Sequence, residues 1–459
     1  MNADSRIEIK SEAWPSIPKA ELIKRILGSA LNSVNPIDIV NNAIELEKDN
    51  LIIANKIIRL KSEQKIYLIG FGKASQLMAV GLKKKLGGKL NTGLIISKHL
   101  DPQLEKKLNP QIHTLVSGHP IPTEASINNT IKLIDFIRNT ENDCLLICLI
   151  SGGGSALLTK PAQNITLENL KVITSTLLKS GASITEMNTI RKHVDEIKGG
   201  GLARLTYPRQ MITLIISDVV GDPLSMIASG PTTFDETTFL DALNIINKYD
   251  LNEITDKHII DYLNKGKTGI KPETLKAEDP ILNNVNNFII ANNHIASLSA
   301  QNKARNLGIT CEIITNQLCG SAVEAGRYLG VFAQKIFQGQ SPITRPACLI
   351  AGGETTVIVK GSGLGGRNQE VALSAAISIS GIPNSYIVTL ATDGEDGPTD
   401  AAGAIVSGET IRQAQSIGLN ASEFLLRNDS FHFFEKTGLL IKTGPTGTNV
   451  NDLNFVFMF

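Results

Sequence analysis

The sequence predicts an α/β protein made of two domains in tandem, and three observations carry that expectation. Short apolar, β-branched runs end in glycine and lead into helical stretches: Lys65–Gly72 into 74–86, then Thr92–Lys98, Cys144–Ser151 and Gln210–Asp218. Repeated strand, glycine turn and helix build a largely parallel sheet wound on both sides. A polar stretch, Asp250–Asn287, interrupts this rhythm, and a second α/β series follows it: Phe288–Asn292, Cys311–Thr315, Cys348–Lys360, Tyr386–Thr392 and a last strand near Asn454–Phe459. The length, 459 residues, suits two large domains at roughly 100–200 residues each. The expected domains are 1–280 and 281–459.

The first 60 residues read as helices. Leu22, Ile23, Ile26, Leu27 and Leu31 recur at helical spacing, and Ile44, Leu51, Ile53 and Ile57 follow the break at Asn35-Pro36. Lys plus Arg is 45 against 44 for Asp plus Glu, a net charge of +1. A balanced chain lacks the electrostatic footprint of a nucleic-acid binder. The longest apolar run, Cys144–Ile150, is far shorter than the roughly 20 residues that span a bilayer. Residues 1–10, with Asp4, Arg6 and Glu8, hold no apolar core, so no secretory leader is expected. The five cysteines contain no C-x-x-C pair and read as buried, reduced thiols of a cytoplasmic protein. No H-x-x-H or H-E-x-x-H occurs, which argues against a zinc enzyme.

In open α/β sheets ligands bind outside the carboxyl ends of the strands, so the residues after each strand carry the information. Gly70-Phe-Gly72-Lys73 ends a strand in two glycines and sets a lysine at a helix start, a place suited to an anion. It is not a Walker A loop, and a solvated turn is the plain alternative. Ser151, Gly152, Gly153, Gly154 and Ser155 form a second loop that can lie against a ligand without Cβ interference. Asn188, Arg191 and Lys198 share one face of a helix as an oxyanion-binding comb, while Lys192 and Glu196 read as its solvated side. Asp218 follows a strongly apolar strand, a place for a magnesium carboxylate or a proton acceptor.

In the second series Gly352-Gly353-Glu354 ends a strand, and Gly361, Gly363 and Gly366 spell G-x-G-x-x-G before Arg367. That pattern raises dinucleotide binding, but an arginine at the helix start is better placed to clamp a phosphoryl group. Asp393, Glu395, Asp396 and Asp400 then crowd one loop, which a cation would relieve. Glycine loops, two cations and strand-end carboxylates together fit phosphoryl transfer in an interdomain cleft.

The series GFGKAS, SGHPIPTEAS, SGGGSALL, NTIRKHVDEIKGGGLA, ISDVVGDPLSMIASGPT, GGETTV, GLGGRNQE, TDGEDGPTDAAGA and TGPTGTNVNDL resembles the class II glycerate kinases, whose C-terminal part is the MOFRL domain. The resemblance runs from about residue 20 to 459. It implies a Rossmann-like, doubly wound N-terminal domain and a smaller α/β C-terminal domain. It also implies ATP- and Mg²⁺-dependent phosphorylation of D-glycerate to 2-phosphoglycerate, with Lys73 and Arg367 as the active-site cations. On that picture the Ser151–Ser155 loop holds phosphate or glycerate oxygens. Asn188, Arg191 and Lys198 receive the carboxylate, Asp218 takes the hydroxyl proton or Mg²⁺, and Glu354 and Asp393 are further metal candidates. Asp195 and Gly201 depart from the family pattern, which bears on substrate affinity. The alternative is an NAD(P)H-dependent hydroxypyruvate reductase built on the 361–366 glycines, opposed by Tyr-Ile-Val at 386–388 where an acidic residue is needed. The partner expected is a small molecule, with no nucleic acid and no membrane. A homodimer is the one protein partner entertained.

Overall fold

The computed structural model describes residues 7–459 apart from 55 and 62. The chain forms two compact units: Pro36–Ile290, and Ala291–Phe459 together with the described residues up to Asn35. The N-terminal helix therefore leaves the domain in which the sequence placed it. Helix Ala20–Ser33 buries Ile23, Ile26, Leu27, Ala30 and Leu31, and Ser29 and Ser299 join it to helix Asn293–Asn306, Oγ to Oγ at 2.8 Å. The helical spacing shows that one face is buried but not which partner buries it.

In the Pro36–Ile290 unit, helix Pro36–Ala43 gives way to an antiparallel meander of β1 (Ile44–Glu47), β2 (Asn50–Ile53) and β3 (Lys56–Arg59). This corrects the helical reading of the region. The isoleucines are β-branched and strand-forming, and Lys48, with φ of 52°, turns the chain between β1 and β2. Six strands follow: β4 (Ile66–Phe71), β5 (Leu90–Ser97), β6 (Ile112–Val116), β7 (Leu145–Ile150), β8 (Gln210–Ile216) and β9 (Val285–Ala291). Their order in the sheet is β6-β5-β4-β7-β8-β9, and β4 to β8 pair in parallel. The chain first winds outward from β4 to β6, then restarts beside β4 at β7 and winds the other way. Every residue of β7 is buried, as expected for a central strand covered on both faces.

The polar stretch expected as a linker is instead built into this unit. It contains helix Lys257–Lys267, whose Gly266 lies so close to Phe239 that a Cβ there would sit 2.3 Å from the ring. The unit boundary falls about β9.

The second unit holds β10 (Thr310–Leu318), β11 (Ala347–Gly353), β12 (Ser385–Ala391), β13 (Gly403–Ser407), β14 (Leu440–Ile441) and β15 (Asp452–Met458), in the order β10-β11-β15-β12-β13-β14. The last strand, wholly buried, inserts antiparallel between β11 and β12. The strand read as Cys348–Lys360 stops at Gly353, and β13 and β14 were not anticipated. Four cysteines are buried, but Cys319 is exposed. Among the described residues no helix is long and apolar enough to cross a membrane.

Candidate active site

The reversal of winding places the carboxyl ends of β4 and β7 side by side, the topological switch point where open α/β sheets bind ligands. The two glycine loops picked out in the sequence leave the sheet there. They are laced together by backbone: Ser151 N–H donates to Phe71 O at 3.2 Å, and Lys73 N–H donates to Gly152 O at 2.9 Å. Ser151 Oγ accepts the Ala74 N–H at 3.0 Å and is almost fully buried, so this hydroxyl holds the loops together instead of facing a ligand.

Glycine is required here by close approach. A Cβ on Gly72 (φ 130°) would lie 2.1 Å from Ser151 Oγ, and one on Gly152 would lie 2.1 Å from Asp218 Oδ2. A Cβ on Gly153 (φ 82°) would meet the His119 ring at 2.8 Å and Lys73 Cγ at 3.2 Å. Lys73, His119 and Asp218 thus converge on two consecutive glycines. Gly154 and Ser155 then open a short helix, whose first N–H groups have no acceptor within it.

A hydrogen-bonded chain carries the arginine helix to this loop. Ser155 Oγ meets Ser229 Oγ at 2.9 Å, and Ser229 Oγ donates to Asn188 Oδ1 at 3.2 Å. Ala228 and Ser229 both hold left-handed backbone, φ 50° and 62°, each costing on the order of 1 kcal/mol for a side-chain-bearing residue. Asn188 and Arg191 sit one turn apart on helix Ile184–His193. Arg191 has no hydrogen-bond or ion-pair partner among the described residues, and burial lowers its pKa from the ordinary value.

Lys198 leaves the expected comb. Its Nζ is buried, donates to Leu158 O at 3.1 Å and lies 3.1 Å from Asp195 Oδ2. Asp195, whose identity bore on substrate affinity, also accepts from Lys160 N–H and Ile197 N–H and so acts as a buried structural clamp. Lys192, read as solvated, is buried against Asp235 at 2.5 Å. Gly201 is glycine because a Cβ there would lie 2.1 Å from Glu196 O.

In the second unit Arg367 opens helix Arg367–Ser378. Asp452 grips its guanidinium through Nε and Nη2, and Glu354 Oε1 meets Nη1 at 2.8 Å. Burial works against the charge, but the Asp452 and Glu354 carboxylates outweigh it and raise the guanidinium pKa above its ordinary value. Asp396 caps the same helix, accepting from Asn368 N–H at 3.0 Å and Gln369 N–H at 2.9 Å. Burial pushes its carboxyl up to about 6, against the pull of those N–H groups.

Glu354 is therefore an arginine partner. Asp393 accepts from Glu395 N–H at 3.2 Å inside its own turn. Among the described residues no three His, Cys, Asp or Glu side chains cluster as a metal cage. The G-x-G-x-x-G run does not follow a strand directly. Cβ atoms on Gly361 and Gly363 would collide with Arg427 and Asp429, and one on Gly366 with Asp396, so these glycines serve packing within the unit.

Two family models match the chain: the Domain of unknown function (DUF4147) over residues 22–264 and the MOFRL family over 347–452. A glycerate 2-kinase of Pyrococcus horikoshii is 41% identical over 94% of this chain and 96% of its own length. The crystal structure of a glycerate kinase from Thermotoga maritima superimposes with a TM-score of 0.84 at 36% identity, covering 96% of this chain and 99% of that one. The chain belongs to the MOFRL-type glycerate kinase family. A 34% identical relative over the whole chain, from Agrobacterium vitis, bears the name putative hydroxypyruvate reductase.

Within this family member, sequence reasoning missed His119 and Asp452. Both lie in motifs that carried the resemblance, SGHPIPTEAS and TGPTGTNVNDL. A lone histidine or aspartate gives no local signal, since only the sheet order brings His119 to Gly153 and Asp452 to Arg367.

Proposed function

We propose that this chain transfers the terminal phosphoryl group of ATP to D-glycerate, giving 2-phosphoglycerate. The observation that carries the reading is the convergence of Lys73, Asp218 and a Cβ-free glycine loop at the switch point of the parallel sheet. Lys73 and Arg367 take the oxygens of the transferred phosphoryl group, whose developing charge is the main thing such an enzyme stabilises. The backbone of Gly152 to Ser155 holds phosphate oxygens. Arg191, uncompensated by any carboxylate among the described residues, receives the glycerate carboxylate with Asn188 beside it. Asp218 accepts the proton of the attacking hydroxyl.

Mg²⁺ fits this site as an ion that arrives with the nucleotide, because it is bound through one or two carboxylates plus substrate phosphates. Asp218, whose carboxylate stands against Gly152 of the glycine loop, is the residue that would hold it. The ion would neutralise phosphate charge. The reaction belongs in the cytoplasm, where ATP is supplied.

³¹P NMR of the protein with Mg-ATP and D-glycerate tests the reading. A 2-phosphoglycerate resonance supports it, a 3-phosphoglycerate resonance moves the attack to the other hydroxyl, and intact ATP overturns it. The reductase reading draws on the 361–366 glycines, which serve packing within the second unit, and on the name of the Agrobacterium vitis relative. Oxidation of NADH by hydroxypyruvate with this protein would favour it instead.

A further inference from the structure

One polar side chain at the glycine loop has no role in that scheme. His119 lies in the loop after β6, and both its Cδ2 and Nε2 fall 2.8 Å from the Cβ that Gly153 lacks, with Lys73 Cγ at 3.2 Å from the same point. The ring edge and the lysine stem therefore close over one peptide. Neither ring nitrogen has a partner among the described residues, although the ring is half-buried. Burial, together with the charges of Lys73 and Lys98, pulls its pKa down to about 4. At neutral pH the ring is uncharged and offers one N–H and one lone pair.

We propose that His119 is a catalytic residue whose Nε2–H hydrogen-bonds an oxygen of the phosphoryl group being transferred beside Lys73. The proposal rests on the kinase reading. In the transfer, the bond from the terminal phosphorus to the bridging oxygen of ATP breaks and a bond to the glycerate hydroxyl oxygen forms. The hydroxyl proton passes to Asp218, and His119 keeps its own proton throughout. A neutral donor suits the place. A charged ring would repel Lys73, and so weak a base is a poor proton acceptor at neutral pH. A fixed N–H aimed at developing oxyanion charge adds stabilisation in the transition state that the ground state does not share.

The test compares His119→Leu and His119→Gln in the full chain. Leucine removes the donor, whereas the glutamine amide reaches the place of Nε2. The expected result is a loss of about 10²-fold in kcat for H119L, with KM for both substrates and the melting temperature nearly unchanged. H119Q recovers at least about tenfold of that loss. Wild-type turnover in H119L, or H119Q as slow as H119L, overturns the proposal. If wild-type protein yields no phosphoglycerate, the kinase reading fails on its own account. The imidazole ¹⁵N spectrum of wild-type protein still decides the role of His119, and needs no folded variant. A shift of the His119 Nε2 signal on adding Mg-ADP, D-glycerate and aluminium fluoride, a mimic of the phosphoryl group in transfer, supports the hydrogen bond, and an unmoved signal overturns it.

Discussion

Asp452 holds the guanidinium of Arg367 in a two-point grip, Nε to Oδ2 at 2.5 Å and Nη2 to Oδ1 at 3.1 Å. Glu354 takes Nη1 from the other side. Of the five guanidinium N–H donors, three face these carboxylates and two remain for a ligand. The carboxylates thus fix the plane of the group, and lysine cannot reproduce a planar fork. We expect Arg367→Ala to lower kcat by about 10²–10⁵, and Arg367→Lys to recover less than about tenfold of it. Asp452→Asn, which loosens the grip, should lower kcat by about 10–10². Steady-state kinetics on D452N in the wild-type and R367A backgrounds checks the coupling. If D452N costs as much in the absence of Arg367 as in its presence, the grip is not what Asp452 contributes.

Gly152 makes a prediction of the opposite kind, in which adding one methyl group damages the site without touching the fold. Its Cβ would lie 2.1 Å from Asp218 Oδ2 and 2.8 Å from Cγ, and its backbone is not left-handed. Gly152→Ala should displace the Asp218 carboxylate and lower kcat by at least about tenfold, at a stability cost of about 1–3 kcal/mol. Gly28→Ala is the control. That glycine lies within helix Ala20–Ser33 with nothing within 4 Å of the added Cβ, so the change should stabilise by about 0.5–1 kcal/mol and leave turnover alone. Denaturation midpoints and kcat measured together separate the two. A fully active G152A would show that Asp218 need not stand where it does.

The parallel sheet and both glycine loops of the first unit were legible because strand, glycine and helix follow one another locally. Lys73, Ser151 and Asp218 stand right after strands, and the strand order then brings them together. What the sequence could not show was the use made of each polar group. Ser151 and Ser155 look alike in the loop, yet the first is spent pinning Ala74 and the second continues to Ser229 and Asn188. Lys198 reads as part of a comb with Asn188 and Arg191, and Lys192 as the solvated side of the same helix, but the helix ends at His193 and the chain folds both lysines inward, onto Asp195 and Asp235. The β1–β3 meander was missed because isoleucines spaced for a helix also satisfy a strand. The docking of Ala20–Ser33 was missed because an amphipathic face does not name its partner.

Arg191 and Lys198, grouped by spacing, are expected to separate in experiment. Arg191 lacks an ion-pair partner among the described residues, so Arg191→Ala should raise KM for glycerate by tenfold or more, the cost of about one charge-assisted hydrogen bond. Its melting temperature should hold or rise. Lys198→Ala strips the partner from buried Asp195 and should destabilise by about 3–5 kcal/mol. Substrate kinetics and thermal unfolding of the two variants check this. A destabilised R191A with normal KM would return Arg191 to a structural role.

Asp396 supplies a pH dependence whose direction follows from its surroundings. Burial, with the Asp452 charge adding to it, lifts the carboxyl to about 6 against the Asn368 and Gln369 N–H groups and the Arg367 charge, from an ordinary value of 3.8. Between those two values the folded chain binds more protons at this group than the unfolded chain does. Stability contributed by Asp396 therefore rises as pH falls through about 6 and is lost as pH rises again. From pH 7 to pH 5 the gain is about 1 kcal/mol. Glu273, which the His193 ring and the Phe239 and Thr274 N–H groups hold down to about 2 despite burial, acts with the opposite sign but only at lower pH. In the window from 5 to 7 the His119 ring, held down to about 4, also acts with the opposite sign, so the Asp396 contribution is read from the difference between wild type and an Asp396 variant. Asp396→Asn should be less stable than wild type at pH 7, because its amide nitrogen must replace one of two oxygens that both accept backbone N–H groups, Asn368 at Oδ1 and Gln369 at Oδ2. It should also lack the contribution that Asp396 adds on going to pH 5, so its stability relative to wild type should fall further there by about 1 kcal/mol. Urea denaturation of both proteins at pH 5 and 7 decides the matter, and an equal pH response in D396N would show that Asp396 is already ionised across that range.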